Sequence, residues 1–195
     1  MITPATHLKS VLRVQIRASL KSIVAEVRAV VSPEICTRVK AYSAWQSARA
    51  VLLFFPFASE PDISPLLADA LATGKLLALP RFNATTKAYE AVQVTGLARE
   101  LVIGAFQMRE PVATCPVVPL NRLDLALVPG LGFDARGHRL GRGKGYYDRL
   151  LAGFSGRKIG VAFDLQIVPE VPREPHDIAL DAVVTPTRWL TANSE

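Results

Sequence analysis

Apolar residues at Leu8, Leu12, Ile16, Leu20, Ile23, Val27 and Val30 lie three or four positions apart. That spacing predicts one long helix from Leu8 to Val31 with a single buried face. Lys9, Arg13, Arg17 and Lys21 recur every four residues beside the stripe and give it a basic edge, which on pattern alone is a solvated flank. Ser32, a capping type, and Pro33, suited to a first turn, predict a second helix to about Ser47. The run "AVLLFF" (50–55), closed by Pro56, has the β-rich, uncharged character of a buried strand. Asp62 to Thr73 is a further predicted helix, stopped by Gly74 and followed by the strand "KLLALP".

The pattern is less legible over 84–120, where it predicts only a short strand near Tyr89 to Val94 and then a proline-punctuated loop. "LDLALVP" (123–129), "KIGVAF" (158–163) and "LDAVVT" (180–185) supply three more strands. Alternation of strand and helix implies crossover connections, hence an α/β fold: an open, mainly parallel sheet with helices on both faces, in one domain over 1–195. Ligands of such sheets gather at the carboxyl ends of the strands. Phe55, Arg81 and the loop over 130–147 are therefore expected to share one pocket.

Composition narrows the class. Half of the 195 residues are apolar and 21% are charged, as in a globular chain with a real core. The net charge of +6 favours anionic partners. Five basic residues, against Asp148 as the single acid, fall between Arg136 and Arg149. Cys36 and Cys115 share no CxxC spacing and no secretory apolar segment precedes them, which points to a reducing compartment and to ordinary buried thiols. The longest uncharged run, "AVLLFFPFAS", is too short to span a bilayer, so no membrane partner is expected. Residues 1–25 carry no acid and several basic residues, a composition that also describes an organellar presequence.

The chemistry concentrates in "GHRLGRGKGYYDRLL" (137–151). Gly141, Gly143 and Gly145 alternate with Arg142 and Lys144, which suggests an exposed backbone that approaches an anion closely. "GLGFDA" (130–135) formally fits a dinucleotide fingerprint, but the following "RGHRLGRG" cannot open the helix that fingerprint needs. The phosphate-loop pattern fails as well, with His138 where its first glycine belongs and Gly145 after Lys144. Tyr146, Tyr147 and Phe154 leave two readings open, stacking on RNA bases or packing inward from a helix. His7, His138 and His176 have no metal-ligand spacing and read as surface or loop residues. Glu60, Asp148 and Asp177 are acids suited to chemistry, to turns or to ion pairs.

Taken whole, "LVPGLGFDARGHRLGRGKGYYDRLL" resembles the signature of the 5-formyltetrahydrofolate cyclo-ligase family, also called methenyltetrahydrofolate synthetase. "KSVLR", "FFPFASEPDIS", "LALPR" and "GVAFDLQIVPEVPREPHDIALDAVVT" resemble the family in order and spacing, and only 85–119 carries nothing over. The resemblance implies a cytosolic-type enzyme that uses ATP and magnesium to close the formyl group of 5-formyltetrahydrofolate into the methenyl bridge. It implies that Lys9, Arg13, Arg139 and the loop Gly141, Arg142, Gly143, Lys144, Gly145, Tyr146 and Tyr147 meet ATP. Phe55 and Glu60, with Arg142, Gly143, Lys144, Gly145 and Tyr146, would hold the folate; Lys144 and Arg142 would be catalytic; Asp148 and Asp177 would bind magnesium. It also places Lys9 and Arg13 in the functional domain rather than in a presequence. The expected partner is a small molecule acted on by a monomer, with no nucleic acid. A catalytically silent relative that binds RNA through the basic loop is the alternative, and a phosphate-handling isomerase is a third reading.

Overall fold

The computed structural model describes residues 4–104 and 108–192. Its centre is a seven-stranded sheet built from β1 (Ala50–Leu52), β2 (Leu76–Asn83), β3 (Ala88–Val94), β6 (Leu125–Pro129), β9 (Arg157–Val161), β10 (Ala182–Val184) and β11 (Trp189–Thr191). The order is β11-β10-β9-β6-β1-β2-β3. The five inner strands run parallel, and the two edges, β3 and β11, are antiparallel. The Asp124 carboxylate accepts the backbone N–H groups of Arg49 at 2.7 Å and Ala50 at 2.9 Å, which fixes the start of β1 against β6.

Alternation along these strands separates two apolar layers. Val51, Leu77, Leu125, Leu127, Ile159 and Val184 pack with Ile35, Cys36 and Val39 of α2 (Ala25–Ala41), Trp45 of α3 (Ser43–Ser47) and Leu66, Leu67 and Ala70 of α4 (Ser64–Ala72). Ala50, Leu52, Ala78, Ala126, Val128 and Val183 face Leu150 and Leu151 of α5 (Tyr146–Leu151) on the other side. Small residues on this second face admit Phe133, which is fully buried; a Cβ at Gly160 would come within 2.7 Å of its ring. Phe133 anchors a hairpin of β7 (Gly132–Phe133) and β8 (Arg139–Leu140), whose end opens the glycine-rich loop. The helix α1 (Pro4–Leu20) lies on this hairpin through Ile16, packed with Leu131, Leu140 and Val171.

The α/β class and the parallel centre agree with the sequence pattern, whereas the amino-terminal helices do not. In place of one helix from Leu8 to Val31 there are two, parted by tight turns in which Lys21, Ser22 and Ile23 donate three residues back. The Ser22 hydroxyl bonds the Ser19 carbonyl at 2.8 Å, a side-chain bond that competes with helix propagation. The predicted apolar face therefore splits: Ile16 is buried, while Leu8 and Val30 are 54% and 74% exposed. Pro33 lies inside α2 rather than at its start, and Ser32 caps nothing; its hydroxyl accepts the Asp62 N–H at 2.9 Å. Between 95 and 124, a small hairpin of β4 (Leu101–Ile103) and β5 (Arg109–Pro111) stands apart from the main sheet. Among the described residues no helix is long and apolar enough to cross a membrane.

Candidate active site

The loop after β8 owes its shape to two glycines. Gly143 has φ +105° and Gly145 φ +63°, in the left-handed region that residues with a Cβ enter at a cost. Among the described residues no backbone N–H from Gly141 to Gly145 donates a hydrogen bond, so the loop presents an uninterrupted row of free donors. Such a row is an anion cradle. Its base is held from below: the fully buried Gln166 amide donates to the carbonyls of Gly130 and Leu131 at 2.9 and 3.0 Å. Arg13 of α1 donates through Nε to the Gly141 carbonyl at 2.9 Å. Burial, and after it Arg17, lowers the Arg13 guanidinium from its ordinary value.

One cavity opens on the β1 side of the loop and is lined by Phe57, Glu60, Tyr89, Met108, Arg142, Lys144 and Tyr146 among others. Glu60 is only 3% exposed and both its oxygens are engaged. Oε1 accepts from Arg142 at 2.7 Å and Oε2 from the Phe57 N–H at 3.0 Å, while Arg142 also stacks 4.7 Å from the Phe57 ring centre. Arg28 of α2 fixes this turn by donating to the Glu60 carbonyl at 2.6 Å. Tyr89, Tyr146 and Tyr147 meet edge to face, with the Tyr89 ring 5.1 Å from Tyr146 and 6.0 Å from Tyr147. Burial and then Glu110 push the Tyr89 hydroxyl up to about 12. Burial also raises the Tyr147 hydroxyl well above its ordinary value, with Glu60 and Tyr89 acting in the same direction. The Tyr147 hydroxyl and Arg139 Nε are buried with no hydrogen-bond partner among the described residues, two polar atoms that a ligand would satisfy.

A second cavity lies on the α1 side, lined by Lys9, Arg13, Gly143, Glu174, His176 and Asp177. The two cavities share Arg139, Gly141, Gly145 and Asp148. Lys9, 5% exposed, donates to Asp177 Oδ2 at 2.5 Å and to Glu174 Oε2 at 2.9 Å. Arg139, also buried, donates to Asp148 Oδ1 at 2.8 Å. Each aspartate thus keeps one oxygen outside these contacts, Asp148 Oδ2 and Asp177 Oδ1, the latter 3.8 Å from the exposed His176 ring. No group of three or more metal-ligating side chains is assembled among the described residues. The donor set fits a hard cation that takes two carboxylate oxygens and completes its shell with phosphate and water.

Most of the residues named from sequence converge here: Lys9, Arg13, Glu60, Arg139, the loop 141–147, Asp148 and Asp177 all line one or both cavities. Phe55 does not. Its ring packs against the core with Arg109 stacked 4.9 Å from its centre, and Phe57, two residues on, lines the cavity instead. Arg81 departs from expectation too, because β2 continues to Asn83 and leaves it mid-strand. There it binds Glu90 at 2.6 Å and the Val112 carbonyl at 2.8 Å, clipping the loop after β5 to the sheet. Tyr89 and Met108 were missed, since they come from the stretch without a recognisable motif; the aromatic Tyr89 in an alternating strand was the available signal. His138 is less superficial than expected, its Nδ1 lying 2.9 Å from Oδ2 of the fully buried Asp134.

The likeness to known proteins runs along nearly the same residues. The model of the 5-formyltetrahydrofolate cyclo-ligase family matches residues 5–186. The Escherichia coli K12 5-formyltetrahydrofolate cyclo-ligase is 33% identical over 177 residues, covering 89% of this chain and 97% of that protein. The Mus musculus 5-formyltetrahydrofolate cyclo-ligase is 29% identical over 185 residues, covering 89% and 91%. The solution structure of Aquifex aeolicus 5,10-methenyltetrahydrofolate synthetase superposes with a TM-score of 0.85 at 34% identity, over 96% of this chain and 94% of that one. A matched span that begins before Lys9 and ends beyond Asp177 takes in both cavities and the loop between them, and the chain belongs to the 5-formyltetrahydrofolate cyclo-ligase family, a family of ligases.

Proposed function

We propose that this protein, as a single-domain monomer, converts 5-formyltetrahydrofolate to 5,10-methenyltetrahydrofolate with consumption of ATP in the presence of magnesium. The observation that carries this reading is that two cavities of different character share four residues of one loop and its supports. The aromatic cavity with a buried carboxylate suits a pterin, whose N–H groups need an acceptor and whose ring needs flat neighbours. The cationic cavity beside free backbone N–H groups suits a triphosphate. A phosphoryl group crossing from one ligand to the other would pass at Gly141 to Gly145.

A formamide oxygen is a poor leaving group. In this reading it accepts the terminal phosphoryl group of ATP, and ADP leaves. The neighbouring amine nitrogen then bonds the formyl carbon, the carbon–oxygen bond breaks, and phosphate and the amine proton depart. No protein nucleophile is required; the task is positioning and charge stabilisation. Lys144 has an exposed ammonium without an ion pair or hydrogen bond among the described residues, so it is free to meet the phosphoryl group. Arg142 is held by Glu60 until a pterin N–H replaces it, and its release delivers a second cation to the loop. Asp148 and Asp177 would hold magnesium, which supplies charge neutralisation on the phosphates.

Incubation with 5-formyltetrahydrofolate, ATP and magnesium tests the reading by the appearance of methenyltetrahydrofolate absorbance. Absence of product from folded protein at any ATP concentration would remove it, and retention of labelled RNA under the same conditions would favour a silent relative.

A further inference from the structure

A third cavity, of about 470 Å³, lies away from the loop at the amino-terminal ends of β9 and β10. Its volume is within the range of small-molecule sites. Val171 and Leu180 give it an apolar floor, and three cations, Arg136, Lys158 and Arg173, reach it from three separate segments. Two acids accompany them, and each is already committed: Glu170 pairs with Arg136 at 3.1 Å, and Asp181 lies 3.5 Å from Arg157 and 3.6 Å from Lys158. Arg173 has no ion pair or hydrogen bond among the described residues. The cavity therefore carries one cation without an internal partner.

His138 supplies the second element. The Asp134 carboxylate is fully buried and accepts the backbone N–H groups of Arg136, His138 and Val171 at 2.9, 3.0 and 3.0 Å. Its Oδ2 also lies 2.9 Å from His138 Nδ1. Facing an acceptor, Nδ1 carries the proton, so Nε2 of the neutral ring is an acceptor and Nε2 of the charged ring a donor. The charged groups around the ring are Asp134 and Arg136 from its own hairpin, Lys158 from β9, Glu170 and Arg173 from the segment after the 164–166 turn, and Asp181 before β10. An anion that also bears an O–H satisfies Arg173 and Nε2 together. Inorganic phosphate does so in its singly and doubly charged forms and a phosphate monoester in its singly charged form, whereas a carboxylate has no donor to offer the neutral ring.

We propose that this cavity is a second anion site for a small ligand carrying a phosphate group, bound by Arg173, Lys158 and His138. A crevice lined by His138, Arg139, Arg173 and Asp177 adjoins it and reaches residues of the cationic cavity, so the two sites are neighbours through His138–Arg139 and Arg173–Glu174. The assignment stands apart from the reaction proposed for the loop.

The three histidines make the test direct, because His138 lines the third cavity, His176 the cationic one, and His7 is exposed on α1. Full-length protein labelled with nitrogen-15 in histidine is titrated with inorganic phosphate, glycerol 2-phosphate and malonate, each followed by the ring resonances. Saturable shifts of His138 with either phosphate compound, weakened about tenfold or more in Arg173→Ala, are the expected result. Preference between the two phosphate compounds distinguishes free phosphate from a monoester. Movement of His176 alone, a His138 shift that never saturates, equal binding of malonate, or unchanged binding in Arg173→Ala with a native melting curve would overturn the proposal.

Discussion

Removing the ammonium of Lys144 separates two roles for a cation on a glycine loop. The side chain is exposed and has no partner among the described residues, so Lys144→Ala breaks no internal contact. Exposed substitutions of that kind change stability by about 0.5 kcal/mol or less, which in a chain of this length moves Tm by roughly 2 °C at most. Whatever activity is lost therefore belongs to the site and not to the fold. If Lys144 only raises the local concentration of ATP, KM for ATP increases and kcat is kept, since uniform binding does not lower the barrier. If it meets the phosphoryl group between the cavities, kcat falls about 10²- to 10³-fold, the cost of losing one preorganised donor, equivalent to about 2.7–4 kcal/mol. The second outcome is expected, because Arg13 and Arg139 already supply attraction and the five free N–H groups allow close approach. Lys144→Arg is expected to restore activity only in part, a planar fork being a poor replacement for a compact charge. Steady-state kinetics at saturating ATP, with melts of each variant, decide the matter. A folded Lys144→Ala protein with near-normal kcat refutes the catalytic role.

Glu60→Gln exchanges an acceptor for a donor opposite Arg142 and the Phe57 N–H, and about 1.5–3 kcal/mol for a charge-assisted bond predicts a folate affinity roughly 10- to 100-fold weaker with ATP binding little changed; equal losses for both ligands in binding titrations would point to the fold instead. Asp177→Asn is expected to raise the magnesium concentration needed for half-maximal rate while Lys9 keeps its 2.9 Å bond to Glu174. Asp148→Asn acts in the same direction and also lowers Tm, because it leaves the buried Arg139 without its anion; unchanged magnesium dependence in both variants would exclude the metal assignment. Burial, then Asp62, pushes the Cys36 thiol up to about 11, so the folded state holds this proton more tightly than the unfolded chain does. That stability is complete below about pH 9 and declines as pH rises towards 11; denaturant unfolding of Cys36→Ala should show a shallower decline, and an identical slope would contradict the shift.

What could be read from the chain follows from how far each signal is local. The inner strands were legible because a strand buried on both faces is a continuous apolar run, as in Leu125–Val128 and Val51–Leu52. The loop was legible because demands for positive φ two residues apart leave glycines at Gly143 and Gly145 that no packing pattern mimics. The break between α1 and α2 was not, since Ser19 and Ser22 interrupt the helix while the apolar spacing runs on across them. The β4–β5 pair and the antiparallel β11 were hidden for another reason: each strand is only three residues long and β4 sets the buried Leu101 beside the exposed Val102 and Ile103, so neither strict alternation nor an unbroken apolar run marks them. The aromatic cavity was the part of the site least visible. Tyr89, Met108 and Phe57 come from three segments brought together by the fold, and Phe55, the residue that the family likeness named, packs against the core.

The central claim is that one loop couples the two cavities, so that a nucleotide bound on the α1 side is spent on a pterin bound beside Glu60. Single-turnover quenching with enzyme in excess, measuring ADP and methenyltetrahydrofolate in the same samples, tests that coupling. One ADP per methenyl group, with neither product formed when the other ligand is left out, is predicted. ADP released at the same rate without 5-formyltetrahydrofolate, or methenyltetrahydrofolate formed without ADP, would contradict it.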